Sequence, residues 1–539
     1  MDLSESVRRI GVEPNGVRSK LRLHEIPHTP SDRPFRLVTR LRKNIIANFG
    51  GQATTVLIGI LFIPFYVRIL GVEAYGLIGF YLSLQTFFTV LDMGLSATLN
   101  REFARHSFSD NAPDRRRDLL RTLEWIYWPV GVLIAIAVSS ASLPIAVHWL
   151  NPEKLDAMQT ARAISLMGLA TALQWPISLY DGGFRGLERQ VALNSMSAMF
   201  ALLRSLGALF VLACLSPTLE AFLWWQVIAG VTQTTFYRYA LWRMLPPTGD
   251  TPRFNMDLVR HVRQFTLGIT GISILSFALT QSDRLILSKI IPLTDLGYYT
   301  IACTVAGALT AIAGSFFNAL FPRYSALVSS GDEHTLIHLY HESSQYIAIA
   351  VASVASVLAF FATDILTIWT HNIALARNSG PILSILAVGT ALNGLGCLPY
   401  ALQLAHGWTR LTIYQNIVAV LVVVPTTWWA ANHYGGVGAA SVWIGLNVGY
   451  LTVGIPLMHR HLLRNEMVRW YRTDIIPPVL AAIATAAIAK ASLGSIPFGL
   501  GGIARLGLVG LLVLCSTALF STYARQGIAN KMAFRLPWN

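Results

Sequence analysis

The chain has 539 residues, of which 54% are hydrophobic and only 13% charged. A soluble domain carries nearer a quarter charged residues, so a soluble enzyme is excluded before any motif is considered. The net charge of +14 does not point to nucleic acid, because the basic residues fall mostly in alternate gaps between long apolar runs.

Those runs are each long enough to cross the roughly 30 Å hydrocarbon core of a bilayer as a helix. They predict an all-α polytopic membrane protein with about fourteen transmembrane helices, at 45–69, 75–96, 123–149, 159–180, 190–214, 219–241, 264–289, 297–321, 345–369, 379–405, 411–432, 436–457, 475–493 and 500–521. The first run has no clear small-residue cleavage site behind its basic leader and reads as a retained span. Residues 1–43 contain Pro14, Pro27, Pro30 and Pro34 and read as a disordered, basic cytoplasmic tail. Residues 522–539 read as a second cytoplasmic tail. Cys214, Cys303, Cys397 and Cys515 all lie in or beside apolar runs without a CxxC partner, and read as small buried hydrophobes.

Lysine and arginine placement sets the orientation. The leader, the gap with Arg101, Arg105, Arg115, Arg116, Arg117 and Arg121, the gap with Arg243, Arg253, Arg260 and Arg263, and the gap with Arg460, Arg464, Arg469 and Arg472 are strongly basic. The intervening gaps carry few cations. Both termini are therefore expected on the cytoplasmic side of a plasma membrane. Every outer gap is short, which argues against a glycan polymerase or ligase with a large outer catalytic loop. A P-loop, GxxxxGK[ST], is absent, so a nucleotide-driven pump is excluded.

The seventh run restarts the pattern of the first. Arg68-Ile-Leu-Gly71-Val-Glu-Ala-Tyr75-Gly76 matches Lys289-Ile-Ile-Pro292-Leu-Thr-Asp-Leu296-Gly297, and Gly186-Leu-Glu-Arg189 matches Gly407-Trp-Thr-Arg410. Both pairs share a shift of six spans. Six is even, so the two halves, 44–241 and 264–457, are expected to be six-helix bundles related as parallel repeats, with the substrate path between them. Helices thirteen and fourteen, 475–521, stand outside the repeat.

Several segments together carry a family resemblance: Asn48-Phe-Gly-Gly51-Gln52, the 68–76 motif, Leu91-Asp92-Met-Gly94-Leu95, Asn100-Arg101-Glu102, Gln281-Ser-Asp283-Arg284, Phe321-Pro322, and Leu398-Pro399-Tyr400 with Gly407. Over residues 44–520 the chain resembles the Wzx-type polysaccharide flippases of the multidrug/oligosaccharidyl-lipid/polysaccharide (MOP) exporter superfamily. The resemblance implies two bundles that rock to expose a polar cavity to either side. It also implies translocation of an undecaprenyl-pyrophosphate-linked oligosaccharide from the cytoplasmic to the periplasmic leaflet of a bacterial inner membrane, for surface polysaccharide such as O-antigen or exopolysaccharide. A cation-coupled small-molecule exporter of the same superfamily is the alternative. No cofactor or metal is implied; coupling to a proton or sodium gradient is an open possibility. The expected partners are the lipid-linked oligosaccharide and membrane lipid, with other polysaccharide assembly proteins as candidates.

Charge within a span costs about 2.5–3.5 kcal/mol or more at the bilayer centre, so each case needs a reason. Arg204, mid-span and surrounded by leucine, suits a pyrophosphate or else pairs with Asp92 or Asp283. Arg284 contacts sugar or phosphate, or snorkels outward. Asp283 is a counter-ion to Arg204 or a coupling site. Gln281 and Asn194 complete the expected substrate-binding set, being two of many amides suited to a sugar path. Asp92, Arg101 and Arg189 are expected at a gate or cytoplasmic mouth, with Asp92 pairing to Arg101 or Arg189 as the plainer reading. Trp175, Trp224 and Trp225 either stack on sugar rings or pack.

Overall fold

The computed structural model describes residues 54–105 except 56, 112–247 and 251–526. The expected tail 1–43, the motif Asn48–Gln52 with the start of the first span, and most of the tail 522–539 lie outside those residues. Within them the protein is helical throughout, and no strand is present among the described residues.

The first half begins with α1 (Leu57–Leu70) and α2 (Val72–Val90), separated only by Gly71 at φ 85°. The second predicted span does not run straight. It bends by 55° between α2 and α3 (Leu95–Arg105). Met93 and Gly94 take positive φ there. The Asp92 carboxylate fixes this turn by accepting from Ser96 Oγ at 2.7 Å, Ser178 Oγ at 3.2 Å and the Tyr127 hydroxyl. Next come α4 (Ala112–Pro144) and, after a π turn, α5 (Ala157–Gln174), whose first turn is capped by the Asp156 side chain. Pro176 interrupts the fourth predicted span, starting a separate α6 (Ile177–Gly186). Helices α7 (Gln190–Phe210) and α8 (Leu219–Met244) complete this half.

The second half holds α9 (Met256–Ile290), α10 (Leu293–Ser330), α11 (Glu333–Phe360), α12 (Ala362–Thr370), α13 (Ile373–Leu395), α14 (Cys397–Ala405), α15 (Arg410–Gly449) and α16 (Ile455–Leu462). Helix α15 covers two predicted spans. Gly435, at φ 58° and ψ −139°, is the break between them. A short α17 (Met467–Arg469) leads to α18 (Ile476–Leu493) and α19 (Leu500–Leu519), the two helices outside the repeat. By length and apolarity alone, eight described segments cross a membrane, or nine if α2 and α3 count as one span. Helices α5 and α8 fall short of that criterion because they carry amides and charges that matter below.

The repeated motifs meet each other. A Cβ on Gly76 would lie 2.1 Å from the Leu293 carbonyl oxygen, and a Cβ on Gly297 would lie 2.3 Å from the Val72 carbonyl oxygen. Val72 corresponds to Leu293 in the repeat, and Gly76 to Gly297, so the contact is reciprocal. It is the close approach that only glycine permits between membrane helices. One turn further on, Gly79 faces the Thr300 side chain in the same way.

Hydrogen bonds gather at this end. Trp149 Nε1 donates to Ser288 Oγ at 2.9 Å, Asn151 Nδ2 to the Lys289 carbonyl at 2.8 Å, and Thr294 Oγ1 to Glu153 Oε2 at 2.6 Å. The Leu293 N–H donates to the Asn151 carbonyl at 3.1 Å. The buried Glu73 carboxylate holds the same loop by accepting from the backbone N–H groups of Glu153 at 2.7 Å and Lys154 at 2.9 Å. The two halves are thus joined through α2, α10 and the α4–α5 loop.

A wedge tests this closure. In a background lacking the four cysteines, Glu153→Cys and Thr294→Cys should be bridged readily by a short bifunctional thiol reagent. Adding Gly297→Val should lower the bridging yield several-fold while the protein still inserts. Unchanged bridging would show that α2 and α10 are not in the contact described.

Candidate functional site

Two polar clusters lie within the apolar spans. The first is inside the first half, among α2, α5, α7 and α8. Arg204 projects from α7, and its Nη2 donates to Gln233 Oε1 of α8 at 2.7 Å. The α7–α8 contact that aligns these two side chains is itself tight. Trp225 Nε1 donates to the Arg204 carbonyl at 3.0 Å, and its ring fills the space over Gly207. The phenols of Tyr81 and Tyr237 both lie close enough to Arg204 to interact with its charge. Tyr81 OH accepts from Gln85 Nε2 at 2.9 Å and from Gln174 Nε2 at 3.1 Å, while Gln85 Nε2 also reaches Gln174 Oε1 at 3.0 Å. Tyr237 OH pairs with Ser197 Oγ at 2.9 Å. Asp181, on α6, is near Tyr237, and one of its carboxylate oxygens is buried without a hydrogen-bond partner.

No carboxylate among the described residues comes within ion-pair distance of Arg204. The expected partners are engaged elsewhere, Asp92 at the α2–α3 turn and Asp283 on α9. The guanidinium is therefore held by an amide and ringed by phenols and amides, all neutral groups. It keeps most of its five N–H donors and its whole charge available. An arrangement of this kind can take an anion bearing several acceptor oxygens.

The second cluster lies where α9 and α10 meet α2. The Tyr299 hydroxyl donates to Asp283 Oδ2 at 2.5 Å. Asp283 Oδ1 is buried and has no hydrogen-bond partner, and the same is true of Gln281 Oε1. Arg284 faces Cys303 and Tyr299 of α10 and the Tyr75 phenol of α2. It is therefore packed between the halves and does not extend outward along α9. The structure brings Gln281, Asp283 and Arg284 together with Tyr299, and keeps them apart from Arg204.

The remaining expected residues scatter. Asn194 is half-buried on α7, well before Arg204 in the same helix. Arg101 pairs with its neighbour Glu102 at 2.8 Å and not with Asp92. Arg189 is exposed at the start of α7 and likewise makes no contact with Asp92. Trp175 packs against Tyr127 with ring centroids 4.4 Å apart, and Trp224 faces outward.

Three polar hubs had no signal in the sequence reading. Glu124 of α4, 2% exposed, accepts from Tyr180, Arg238, Trp242 and Arg121. His341 of α11 sits between Asp474 and Glu466, with Nε2 2.9 Å from the latter. Lys490 of α18 donates to Asp364 Oδ2 of α12 at 2.5 Å. Apart from the local Arg121 contact, each joins residues more than fifty positions apart, a relation that hydropathy does not carry.

A helical membrane protein built from two repeated halves that meet through their shared motif, with polar clusters buried in its spans, has the means to pass a polar group across a bilayer. The sequence then places it: residues 41–328 match the family model described as polysaccharide biosynthesis protein, and the chain belongs to that family. A Shigella flexneri protein named for O-antigen transport is 23% identical over 405 residues, covering 74% of this chain and 93% of its own length. The membrane protein EpsK of Bacillus subtilis (strain 168) is 23% identical over 340 residues, covering 60% of this chain and 64% of its own. Among solved structures, the lipid II flippase MurJ in an inward closed conformation superposes with a TM-score of 0.67 at 11% identity, over 91% of this chain and 99% of that one. An inward-facing multidrug resistance transporter of the MATE family, in the MOP superfamily, gives 0.60 at 14% identity, over 83% and 98%. At these identities the likeness establishes the fold alone, one that this chain shares with that flippase and that transporter.

The Arg204–Gln233 pair separates charge from packing. Gln233→Glu keeps the contact but neutralises the cation, so folding should survive while binding of an anionic substrate is lost. Gln233→Leu leaves the guanidinium short of an acceptor and should cost about 1–3 kcal/mol, read as a lower unfolding temperature in detergent. Full transport by Gln233→Glu would show that the net charge at Arg204 is not used.

Proposed function

We propose that this protein flips a polyprenyl-pyrophosphate-linked oligosaccharide, with undecaprenyl as the lipid, from the cytoplasmic to the periplasmic leaflet of a bacterial inner membrane by alternating access. The single observation that carries the reading is Arg204, an arginine inside an apolar span that no carboxylate among the described residues neutralises. The pyrophosphate is the group that most opposes crossing hydrocarbon, and a fixed cation in a chamber of amides and phenols offsets that cost. The amides supply both donors and acceptors for the sugar hydroxyls.

Orientation follows from the arginine bias, which makes the closed α2–α10 end periplasmic and the opposite end cytoplasmic. The substrate enters from the cytoplasmic leaflet when that end is open. Opening the glycine contact at the periplasmic end while closing the other completes the cycle, with the two halves moving as the domains 44–241 and 264–457. Asp92, at the α2–α3 turn, sits where such a motion would bend the helix, and Arg101 and Arg189 flank the mouth.

The free oxygen of Asp283 favours a second element, coupling to a proton or sodium gradient. An unpartnered buried carboxylate oxygen is costly to keep, and a bound cation would satisfy it.

The deciding experiment measures lipid-linked oligosaccharide by leaflet in a strain deleted for the gene and supplied with wild type, Arg204→Ala or Arg204→Lys at equal protein level. Loss of one charge-assisted contact corresponds to about 10- to 100-fold in rate or affinity. Arg204→Ala should therefore leave substrate on the cytoplasmic face, and Arg204→Lys should restore part of the activity. Normal surface glycan in the deletion strain, with no redundant flippase, would move a small-molecule exporter to the front. Separately, Asp283→Asn should still accept the Tyr299 hydroxyl and fold, yet make transport insensitive to dissipation of the ion gradient. Retained gradient dependence would remove Asp283 from the coupling role.

A further inference from the structure

The end of the first half away from the α2–α10 contact carries a second cationic site that the transport reading leaves unused. Glu124 lies on α4 facing α6 and α8, beneath three arginines. Arg238 Nε donates to its Oε1 at 2.9 Å, while Arg238 Nη2 and Arg121 Nη1 both reach its Oε2 at 3.4 Å. The two guanidiniums therefore converge on one carboxylate oxygen, yet each side chain remains about 40% exposed. Trp242 Nε1 donates to the same carboxylate at 2.9 Å, and Arg117 lies over the Trp242 ring, 5.2 Å from its centroid. Arg117 spends one donor on the Pro246 carbonyl, and its Nε is buried with no partner. Two cations thus share one buried anion, and a third stacks on the indole that donates to it.

The surroundings are those of a lipid headgroup. Arg121 lies over the ring of Trp125, which is 59% exposed. Further along the same face of α4, Val132, Leu133 and Ile136 are all exposed, as acyl chains require. On α8, Arg243 lies over Tyr239, which is exposed as well. A positive-inside bias alone asks for charge, not for guanidiniums pre-positioned by a shared buried carboxylate and backed by a Trp N–H. Arginine with spare N–H donors matches the phosphate oxygens of a diester.

We propose that the arginine cluster bridging α4 and α8 binds one anionic phospholipid, its phosphodiester held by Arg121 and Arg238 with Arg117 behind them. The site is distinct from the Arg204 cluster, on the lipid-facing side of the half and at headgroup depth.

The test uses the full-length protein in neutral detergent, titrated with phosphatidylglycerol, cardiolipin or phosphatidylcholine and read by native mass spectrometry. Wild type should retain at least one anionic lipid and discriminate against phosphatidylcholine. Arg121→Gln should weaken retention about fivefold, and Arg121→Lys should restore most of it. Glu124 keeps Arg238, Trp242 and Tyr180 in Arg121→Gln, so its unfolding temperature should match wild type, which separates lost binding from lost fold. Equal retention of phosphatidylcholine, or equal affinity in Arg121→Gln, overturns the proposal. Displacement of the bound lipid from wild type by undecaprenyl pyrophosphate, but not from Arg121→Gln, overturns it in favour of a substrate-entry site.

Discussion

Everything about access in this protein depends on the backbone contact between Val72–Gly76 and Leu293–Gly297. Two carbonyl oxygens sit where two β-carbons would otherwise be, and the contact is the same from either half. Helices this close gain dispersion along their length and leave no room for water or lipid. The α4–α5 loop then reinforces the joint by hydrogen bonds to Ser288, Lys289, Leu293 and Thr294. The halves also meet further along α2, where the rings of Phe87 and Phe277 lie 5.4 Å apart, and α3 packs against α9.

The charges follow a single rule, that a buried ion must find a counter-charge or a use. Glu124, Asp364, Asp474 and Lys490 have partners and hold helices together. Among the described residues Arg204 has only neutral partners, and Asp283, beside the Arg284 charge, is hydrogen-bonded at only one of its two oxygens, by a phenol. The contrast singles out these two residues, with Asp181 and its own unpartnered oxygen beside them, where a tally of charges in spans treats all of them alike.

Much of the fold was legible in the sequence because bilayer thickness is a length that hydropathy reports. The fifth and sixth spans, 190–214 and 219–241, coincide closely with α7 plus its π turn and with α8. The six-span repeat was legible from the 68–76 and 289–297 motifs, although nothing in their spelling says that they touch. Helix ends were less visible. Helix α4 starts at 112 and α10 runs to 330, because a helix can continue into the headgroups where apolarity no longer marks it. Breaks inside spans were missed at Leu91–Gly94 and at Pro176 for the opposite reason, since apolar composition continues through a kink. At the site, Arg204 announced itself by its cost, but its partner Gln233 was one amide among a dozen. Which amide faces which cation depends on helix rotation and neighbour choice, and these are set by contacts distant in sequence.

Gln345 of α11 shows what this kind of wiring asks of synthesis. Its amide nitrogen donates to Asp474 and Thr522, and its oxygen accepts from Ser521, Thr522 and the Tyr523 N–H. Ser521 lies 176 residues downstream. At the ordinary pace of translation this separation is roughly ten to thirty-five seconds. Throughout that interval His341, Gln345 and Asp364 are in place while the groups that satisfy them are still unmade or unplaced. The second half therefore cannot finish ahead of α18 and α19. Those two helices, appended to the repeat, are its final assembly step, and a nascent chain stopped before them presents unpaired polar groups to whatever surveys the membrane for incomplete proteins.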